Sequence, residues 1–302
     1  MTDNHRVLTE NGWRELGQLQ AGDYIATPRQ LFADTSQHTD PQKLRVLAYL
    51  LADGSLSAHG ATADFVSKDQ VLIDAYQEGL TRFERLEPRT LQQVRGVTRV
   101  MVAGKEKKSS HETNSLVQFL RDLGLKTMKG GGWSGDKFVP EFVFGLDEEQ
   151  ISFFLASYWD CDGYVGKRSC FIKTISKHLA KDLQTLLLRL GIYATIYESR
   201  YFNNRRQEQI IAYQLTVYNL KTFNDKIAPY LLLKKMPEGE LCSEELRDKV
   251  SRNIFLQEVE TAWDGSIHSL MRTHGVDRQH FIKNTNNCRG SHPRWFGRLL
   301  KN

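Results

Sequence analysis

The chain contains two similar stretches, Val46-Leu-Ala-Tyr-Leu-Leu-Ala-Asp-Gly54 and Leu155-Ala-Ser-Tyr-Trp-Asp-Cys-Asp-Gly163, which are mostly apolar and end in Asp-Gly. Each stretch has small residues at its third and seventh places: Ala48 and Ala52 in the first, Ser157 and Cys161 in the second. Residues four apart share one face of a helix, so these small side chains allow two helices to approach closely. We therefore expect two packed helices whose C-terminal ends, at Asp53 and Asp162, lie side by side.

The sequence after each stretch also repeats. A β-rich segment leads to Ser67-Lys68 in the first copy and Ser176-Lys177 in the second, and each Lys stands 15 residues beyond its motif Asp. Helical patterns follow at residues 71–76 and 179–190, the second ended by Gly191, and strand-like stretches recur at residues 98–103 and 210–217. These patterns predict an α+β protein of two pseudo-symmetric halves, each in the order αββαββα.

The sequence suggests four domains. Residues 1–40 read as a short β-rich segment, with short strands at 7–13 and 16–25 broken by Asn-Gly and Gly-Asp turns, followed by a linker at 30–42. Residues 41–150 and 151–240 form the two halves, and residues 241–302 form a basic helical module. Two short helical stretches in that module, 266–273 and 277–283, fit a helix-turn-helix whose second helix begins at Asp277, although any small helical hairpin has the same pattern.

Composition points to an intracellular protein. A chain of 302 residues with 40% hydrophobic residues can bury a core, and its apolar run at residues 46–52 is far shorter than the ~20 residues that span a bilayer. The charged N-terminal segment does not resemble a signal peptide, so we expect a cytoplasmic, nucleoid-associated protein of a prokaryote, without a membrane partner. The four cysteines lack zinc-site or disulfide spacing and are interpreted as reduced thiols.

The C-terminal segment carries most of the basic charge. Residues 265–302 hold seven Lys and Arg against the single acid Asp277, a balance of +6, whereas the whole chain has a net charge of +5. Such a tail favours a polyanionic partner, and on charge alone RNA, DNA and an acidic membrane surface all remain open.

The paired Asp-Gly ends predict a metal site. A carboxylate at a helix C-terminus faces the negative end of the dipole, and two side by side repel each other, so a cation should lie between them. Mg²⁺ suits one or two carboxylates together with phosphate oxygens and water, and it can activate that water to attack a phosphodiester. We expect Mn²⁺ to substitute for Mg²⁺, and Ca²⁺ to support binding of the phosphodiester without its cleavage. The expected ligands are Asp53 and Asp162 with the backbone carbonyls of Ala52 and Cys161. A single Asp-Gly would be only a helix cap, but the second matched copy favours a metal.

Cleavage of a phosphodiester also needs positive charge near the transition state. Lys137, in Lys-Phe-Val-Pro140, and Lys235, in Lys-Lys-Met-Pro237, stand at corresponding places near the ends of the two halves. We expect both to be catalytic, although any single Lys is more commonly an exposed surface residue.

These motifs resemble those of the LAGLIDADG homing endonucleases, most closely the intein-associated branch with two motifs on one chain. The resemblance covers about residues 40–240, and the first motif has Leu51 where an acid often stands. It implies that Asp53 and Asp162 bind metal and that Lys137 and Lys235 are catalytic lysines. It also suggests Asp64 and Lys173, each 11 residues after its motif Asp, as further active-site residues.

The beginning of the chain resembles the Thr-x-x-His block of intein splicing domains. The matching residues are Thr2-Asp-Asn-His5, Leu8-Thr-Glu-Asn-Gly-Trp13 and Gly22-Asp23. The catalytic set is incomplete, because no splice-junction Cys or Ser precedes the block and Asn287-Cys288 lacks the usual His. We interpret residues 1–30 as a remnant of such a domain.

The family implies a monomer that acts as a pseudo-dimer on a long site in double-stranded DNA and cuts both strands. Strand side chains would read base edges while basic groups contact phosphates. The candidate DNA contacts are Arg95, Arg99, Arg200, Arg205 and Arg206 beside the strands, and Arg272, Arg278 and Lys283 in the tail. Two alternatives remain, a transcription regulator that keeps this fold without cleaving DNA and an RNA-splicing maturase.

Overall fold

The computed structural model describes residues 2–35, 37–56, 63–84, 86–92, 96–104, 114–126, 134–203, 207–239 and 241. Its residues fall into a small unit within Met1–Pro28 and a larger unit within Arg29–Glu244. The expected domain of residues 1–40 is therefore divided, because residues 29–40 belong with the larger unit. There Gln30 Nε2 donates to Glu148 Oε1 at 2.8 Å, and Gln150 Nε2 donates to the Thr39 carbonyl at 2.6 Å.

The small unit contains an antiparallel hairpin of β1 (Arg6–Thr9) and β2 (Gly12–Glu15). This confirms the short strands expected at residues 7–13 and the Asn11-Gly12 turn that breaks them. The strands expected at residues 16–25 are not formed, although the expected Gly22-Asp23 turn is present. Their place is taken by a 3-10 turn at Leu16–Gln18 and by a Gly22 turn with φ of +111°, and only Ile25 makes a bridge, to Thr9.

The larger unit repeats one order of elements. The first half consists of α1 (Pro41–Asp53), β3 (Gly54–Ser55), β4 (Asp64–Ser67), α2 (Gln70–Leu80), β5 (Leu86–Gln92), β6 (Thr98–Gly104) and α3 (Ser115–Asp122), and a short α4 (Glu141–Phe144) follows it. The second half consists of α5 (Glu148–Asp162), β7 (Gly163–Val165), β8 (Cys170–Thr174), α6 (Lys177–Arg189), β9 (Ala194–Asn203), β10 (Glu208–Val217) and α7 (Leu220–Lys226). The predicted α+β class and the αββαββα repeat are confirmed. Because α5 begins at Glu148, the expected boundary between residues 150 and 151 lies inside its first turn.

Each half has a four-stranded antiparallel sheet with the same strand order, β3-β4-β6-β5 in the first and β7-β8-β10-β9 in the second. Side chains alternate across the strands, so Phe65 and Val100 of the first sheet face the core and are fully buried. Phe65 packs against Tyr49 of α1 and Tyr76 of α2, with ring centroids 5.2 and 4.8 Å apart. We call the opposite side of each sheet its outer face: Asp64, Val66 and Arg99 lie there in the first sheet, and Phe171, Lys173 and Gln214 in the second.

Helices α1 and α5 pack against each other at the centre of the larger unit. Both begin at an Asp N-cap, Asp40 and Asp147, whose side chains accept from the backbone N–H groups of Gln42 and Gln150. Both are buried around most of their circumference, as expected of helices covered on all sides. The predicted pairing of the two motif helices is therefore confirmed.

The pairing of the strands shows that the two copies are not aligned by a constant offset. Phe65 is the partner of Gly54 in the first half, and Ile172 is the partner of Gly163 in the second. The second copy is thus two residues shorter between motif and strand. The structural equivalents of Ser67 and Asp69 are Thr174 and Ser176, so the equal 15-residue spacing of the two Ser-Lys pairs is coincidental.

Candidate metal centre at the paired helix ends

Helices α1 and α5 end at the motif residues Asp53 and Asp162. The chain leaves each helix directly into a strand, and the glycine N–H still donates to the helix, from Gly54 to the Leu50 carbonyl and from Gly163 to the Trp159 carbonyl. Neither glycine has the left-handed conformation of a common helix cap, since their φ angles are −81° and −93°. The simple-cap interpretation of Asp-Gly therefore does not describe this site.

The two glycines are required for space. A Cβ on Gly54 would lie 2.4 Å from the Leu50 Cα, and a Cβ on Gly163 would lie 2.2 Å from Trp159 Cδ1 and 2.7 Å from its carbonyl oxygen. The last helical turn thus lies directly over the glycine, which places the preceding carboxylate at the helix end.

The two carboxylates have unusual electrostatics. Burial raises the pKa of Asp53 above its ordinary value, and the lysines Lys137 and Lys234 only partly oppose this. Burial and the neighbouring charge of Asp53 raise the pKa of Asp162 to about 7. The charges of Asp53 and Asp162 interact, and their mutual repulsion is relieved when a proton or a cation lies between them.

A lysine contacts each helix end, buried in the first half and half-buried in the second. Lys137 is 5% exposed, and its Nζ donates to the carbonyls of Leu50, Leu51 and Gly54 at 2.9 to 3.0 Å and to that of Ala52 at 3.4 Å. In the second half the Nζ of Lys234 donates to the carbonyls of Trp159, Asp160 and Cys161 at 2.7, 2.9 and 3.3 Å. These ammonium groups supply donors to the carbonyls of the last helical turn, including those of Leu50 and Trp159 that also accept a glycine N–H, and they offset the negative dipole end.

The lysine of the second half is therefore Lys234, and not Lys235 as the sequence suggested. Lys235 is exposed, and its side chain makes none of the contacts to α5 that Lys234 makes. The error arises within a Lys-Lys pair, whose adjacent side chains point in different directions along an extended segment.

Partial or full burial lowers the pKa of both lysines. The pKa of Lys137 falls to about 8, although the carboxylates of Asp53 and Asp162 oppose the shift. Burial likewise lowers the pKa of Lys234, opposed first by Asp160. Two carboxylates and two amines with perturbed pKa values therefore meet at one place, an arrangement typical of functional sites.

Asp160 is a residue whose role the sequence did not indicate. Its side chain is 1% exposed and accepts the backbone N–H groups of Leu232, Leu233 and Lys234 at 2.7, 3.0 and 3.0 Å. It thereby fixes the segment that carries Lys234. The one available signal was that Leu51 occupies the corresponding place in the first motif, so the two halves must hold their lysines differently.

Asp64 and Lys173 do not occupy equivalent positions, in spite of their equal spacing from the motifs. Asp64 is 4% exposed and forms an ion pair with Arg99 on the outer face of the first sheet. Lys173 is exposed, and its Nζ lies 5.7 Å from the ring centroid of Phe171. The strand partners make Phe171 the equivalent of Asp64 and Val66 the equivalent of Lys173.

Only part of the expected DNA-contact set is described. Arg99 lies on the outer face, paired with Asp64, whereas Arg200 alternates in phase with the core-facing Ile196 and forms an ion pair with Glu198 at 3.3 Å. Arg200 thus points to the side opposite the outer face. Arg95, Arg205, Arg206, Arg272, Arg278 and Lys283 lie outside the described residues, as does the expected helix-turn-helix.

The residues at the helix ends fit a divalent cation that completes its coordination with phosphate and water. Asp53 and Asp162 supply carboxylate oxygens, the ligands that Mg²⁺ prefers. The carbonyls of Ala52 and Cys161 receive only the longest lysine contacts, 3.4 and 3.3 Å. Within the described ranges, no cluster of three or more His, Cys, Asp or Glu side chains could enclose a metal alone. No helix in the described part of the chain is long and apolar enough to cross a membrane.

Several curated proteins share a segment with this chain. The replicative DNA helicase DnaB of Rhodothermus marinus is 31% identical over 204 residues, which cover 65% of this chain and 21% of that protein. The replication factor C small subunit of Methanocaldococcus jannaschii is 29% identical over 238 residues, 75% of this chain and 12% of that protein. Protein RecA of Mycobacterium tuberculosis is 27% identical over 209 residues, 65% and 24% of the two chains. The chain thus spans about a quarter or less of these relatives.

Solved structures also show partial similarity. A structure of I-DmoI in complex with DNA and Mn is 13% identical with a TM-score of 0.43, covering 62% of this chain and 96% of that chain. Full-length DUF199/WhiA of Thermatoga maritima is 12% identical with a TM-score of 0.41, covering 83% and 70%. Residues 149–228, which extend from the first turn of α5 through α7, match the family model of the LAGLIDADG-like domain.

Proposed function

We propose that this chain is a site-specific endonuclease that hydrolyses both strands of a long double-stranded DNA target with divalent metal, preferably Mg²⁺. The observation that carries the proposal is the pair of carboxylates at adjoining helix ends, with the pKa of Asp162 raised to about 7 beside Asp53. Two carboxylates held together in this way are stabilised by a cation, and a phosphodiester supplies the remaining oxygens.

In this proposal Asp53 and Asp162 hold the metal, which would polarise the phosphate and lower the pKa of water when bound. Lys137 and Lys234 place positive charge beside the carboxylates. Their N–H groups already contact helix carbonyls. Their first task is therefore to fix the helix ends, and their charge also stabilises the anionic transition state from that position. Because both carboxylates belong to one chain, a monomer suffices.

The outer faces supply the proposed DNA surface. Lys173 provides a cation there, Arg99 lies there in its ion pair with Asp64, and half-exposed Tyr197 is the strand partner of Gln214. Strand side chains of this kind can contact phosphates and base edges along a groove. The basic tail at residues 265–302 adds sequence-independent affinity.

The relatives support a mobile segment carried within other genes. This chain matches at most 24% of the length of the DnaB helicase, the replication factor C small subunit and protein RecA. Since proteins with such different names each match this chain over a minor part of their length, the matching part is separate from the activity that names each of them. We therefore transfer none of those activities and propose an intein-type element, of which residues 1–30 are the splicing remnant.

Cleavage of a DNA library is the test. Plasmids that carry genomic or randomised inserts are incubated with the full chain in Mg²⁺, Mn²⁺ or Ca²⁺, and linear products are sequenced. We expect cleavage at a single long site with Mg²⁺ or Mn²⁺ and binding alone with Ca²⁺. Asp225→Asn, which removes the same charge from an exposed helix position, is the matched control for Asp53→Asn and Asp162→Asn. Binding to DNA without cleavage in any metal indicates a regulator, and preferential binding to intron RNA indicates a maturase.

A further inference from the structure

The segment that carries Lys137 is held by a helix of the other half. Ser176, at the start of α6, donates through Oγ to the Lys137 carbonyl at 2.5 Å. Asp182, in the second turn of the same helix, accepts the Val139 N–H through Oδ2 at 2.9 Å. These two hydrogen bonds hold the peptide groups before and after Phe138. Helix α6 therefore fixes the backbone from which the Lys137 side chain extends.

Aromatic packing and burial reinforce this anchor. The ring of Phe138 stacks on His178 of α6, with centroids 5.7 Å apart and an angle of 24°. His178 Nε2 lies 3.6 Å from Asp182 Oδ1, and the side chain of Asp182 is only 14% exposed. Ser176 is fully buried and also caps α6 by accepting the Leu179 N–H. The anchor is therefore part of the folded helix and not a loose surface contact.

Lys234 is held in a different way. Its segment is fixed by Asp160, which accepts three backbone N–H groups and belongs to α5 of the same half. Each half thus ends in a lysine that contacts its own motif helix, but the first lysine is positioned by the opposite half and the second by its own. The two helix ends therefore carry the same kind of lysine contact, but the lysine segments are anchored by different halves.

We propose that Ser176 and Asp182 are positioning residues for Lys137, through which the second half sets the geometry of the first helix end. This inference rests on the proposed nuclease function for its effect on cleavage. If each lysine serves one strand, loosening this anchor slows the cleavage of one strand and leaves the other unchanged. The expected product is nicked DNA. A misplacement of about 1 Å from a distant change costs roughly tenfold to a hundredfold in rate, which sets the expected size.

Two measurements test the proposal with the full chain. Hydrogen exchange of the metal-free protein, followed by mass spectrometry, reports on the end of α1 at residues 50–54 and on the end of α5 at residues 159–163. Cleavage of a duplex labelled on each strand in turn gives a separate rate for each strand. The variants are Asp182→Ala, which removes the acceptor, Asp182→Asn, which keeps a neutral acceptor, and exposed Lys181→Ala as the control on the same helix.

We expect Asp182→Ala to speed exchange at residues 50–54 but not at 159–163, and to slow one strand by roughly tenfold or more. Asp182→Asn should return the exchange rate at residues 50–54 and the rate of the affected strand most of the way to the parent values. Lys181→Ala should behave as the parent. Ser176→Gly is the second variant if Asp182→Ala does not fold, because glycine keeps most of the N-cap while removing the Oγ.

Exchange at residues 50–54 equal to that of the parent overturns the proposal, and so does an equal slowing of both strands. A parent that cuts neither strand defeats the proposed function, yet the exchange comparison still decides whether α6 positions Lys137.

Discussion

Asp162 is a partly buried carboxyl beside Asp53, and both effects raise its pKa from 3.8 to about 7. A carboxyl whose pKa is higher in the folded than in the unfolded chain contributes stability that is complete below the unfolded pKa and is lost as pH rises through the folded value. We therefore predict that metal-free protein loses stability between about pH 4 and pH 7. Asp162→Asn should lose less, and it should melt above the parent at pH 8.

Melting temperatures measured in EDTA from pH 4 to pH 8 check this prediction. The difference between parent and Asp162→Asn isolates one group from the other titrating carboxyls. Magnesium should raise the melting temperature of the parent at pH 8 and have little effect on the variant. Parallel curves for the two proteins would show that the carboxyl is not perturbed.

Replacement of either motif Asp by Asn should abolish cleavage while DNA binding survives. The amide keeps the size of the carboxyl but removes a ligand charge, and it also removes a negative charge that would face phosphates. Cleavage in Mg²⁺ and binding in Ca²⁺ are measured for Asp53→Asn and Asp162→Asn, with circular dichroism to confirm folding. A folded variant that binds and cuts as the parent does would refute the metal assignment.

Lys234→Met and Lys235→Met differ by one position and should differ sharply in effect. Lys234 donates to three helix carbonyls, and hydrogen bonds to a charged group contribute roughly 2 kcal/mol each, less where the group is partly exposed. Lys234→Met should therefore lower stability and slow cleavage, whereas exposed Lys235→Met should change neither. Denaturant unfolding and strand cleavage rates test the pair. Equal loss in the two variants would contradict the geometry.

Among the elements, the direct passage from helix to strand depends on Gly54 and Gly163. An added Cβ would meet the helix above it at 2.4 Å in the first case and 2.2 Å in the second. Gly54→Ala should be the more harmful, because its nearest contact is backbone and cannot move aside, with a loss of about 1–3 kcal/mol. Gly135→Ala is the matched control, since nothing lies within 4 Å of its Cβ. Urea unfolding is measured for Gly54→Ala, Gly163→Ala and Gly135→Ala.

The order of elements could be read from the sequence because periodicity and turn residues are local signals. The C-cap at Gly191 is an example, since its φ of +72° is the left-handed conformation that the pattern implied. Alignment between the halves could not be read in the same way. Loop length is not constrained by packing, so a two-residue difference before β4 and β8 made Asp64 and Lys173 seem equivalent.

The sequence predicted the residues of the candidate site whose position follows from their own local motif. It did not predict those whose position depends on a contact with a residue distant in sequence. Asp53 and Asp162 follow from the helix ends, and Lys137 from its place before Phe-Val-Pro. The choice of Lys234 over Lys235 depends on Asp160, which turns the segment through three hydrogen bonds. The contact of Asp182 with Val139 joins residues 43 apart in sequence, a separation that no local pattern reports.

For the molecule as a whole, the two halves share a topology but present different chemistry. The outer face of the first sheet has the ion pair of Asp64 and Arg99, while that of the second has Tyr164 stacked on Phe171 with centroids 4.7 Å apart. Side chains so different cannot read the same bases. Under the proposed function we therefore expect an asymmetric DNA site, in contrast to the palindrome that two identical halves would recognise.

The basic tail should supply affinity while the helix ends supply chemistry. Residues 265–302 carry a balance of +6, whereas the rest of the chain is close to neutral. Each phosphate that a cation neutralises adds about 0.9 to the slope of log affinity against log salt. Deletion of residues 265–302 should therefore weaken DNA binding and lower that slope by as much as about 6, with the largest loss of affinity at low salt.

The check is a salt titration of binding in Ca²⁺ for the full chain and for the deletion variant, together with cleavage in Mg²⁺ at high protein concentration. A full-length variant with its seven tail cations replaced by glutamine separates charge from chain length, and it should reproduce the deletion. Cleavage should persist in both, because Asp53 and Asp162 remain. An unchanged salt slope would place the DNA-binding charge elsewhere, on the outer faces of the two sheets.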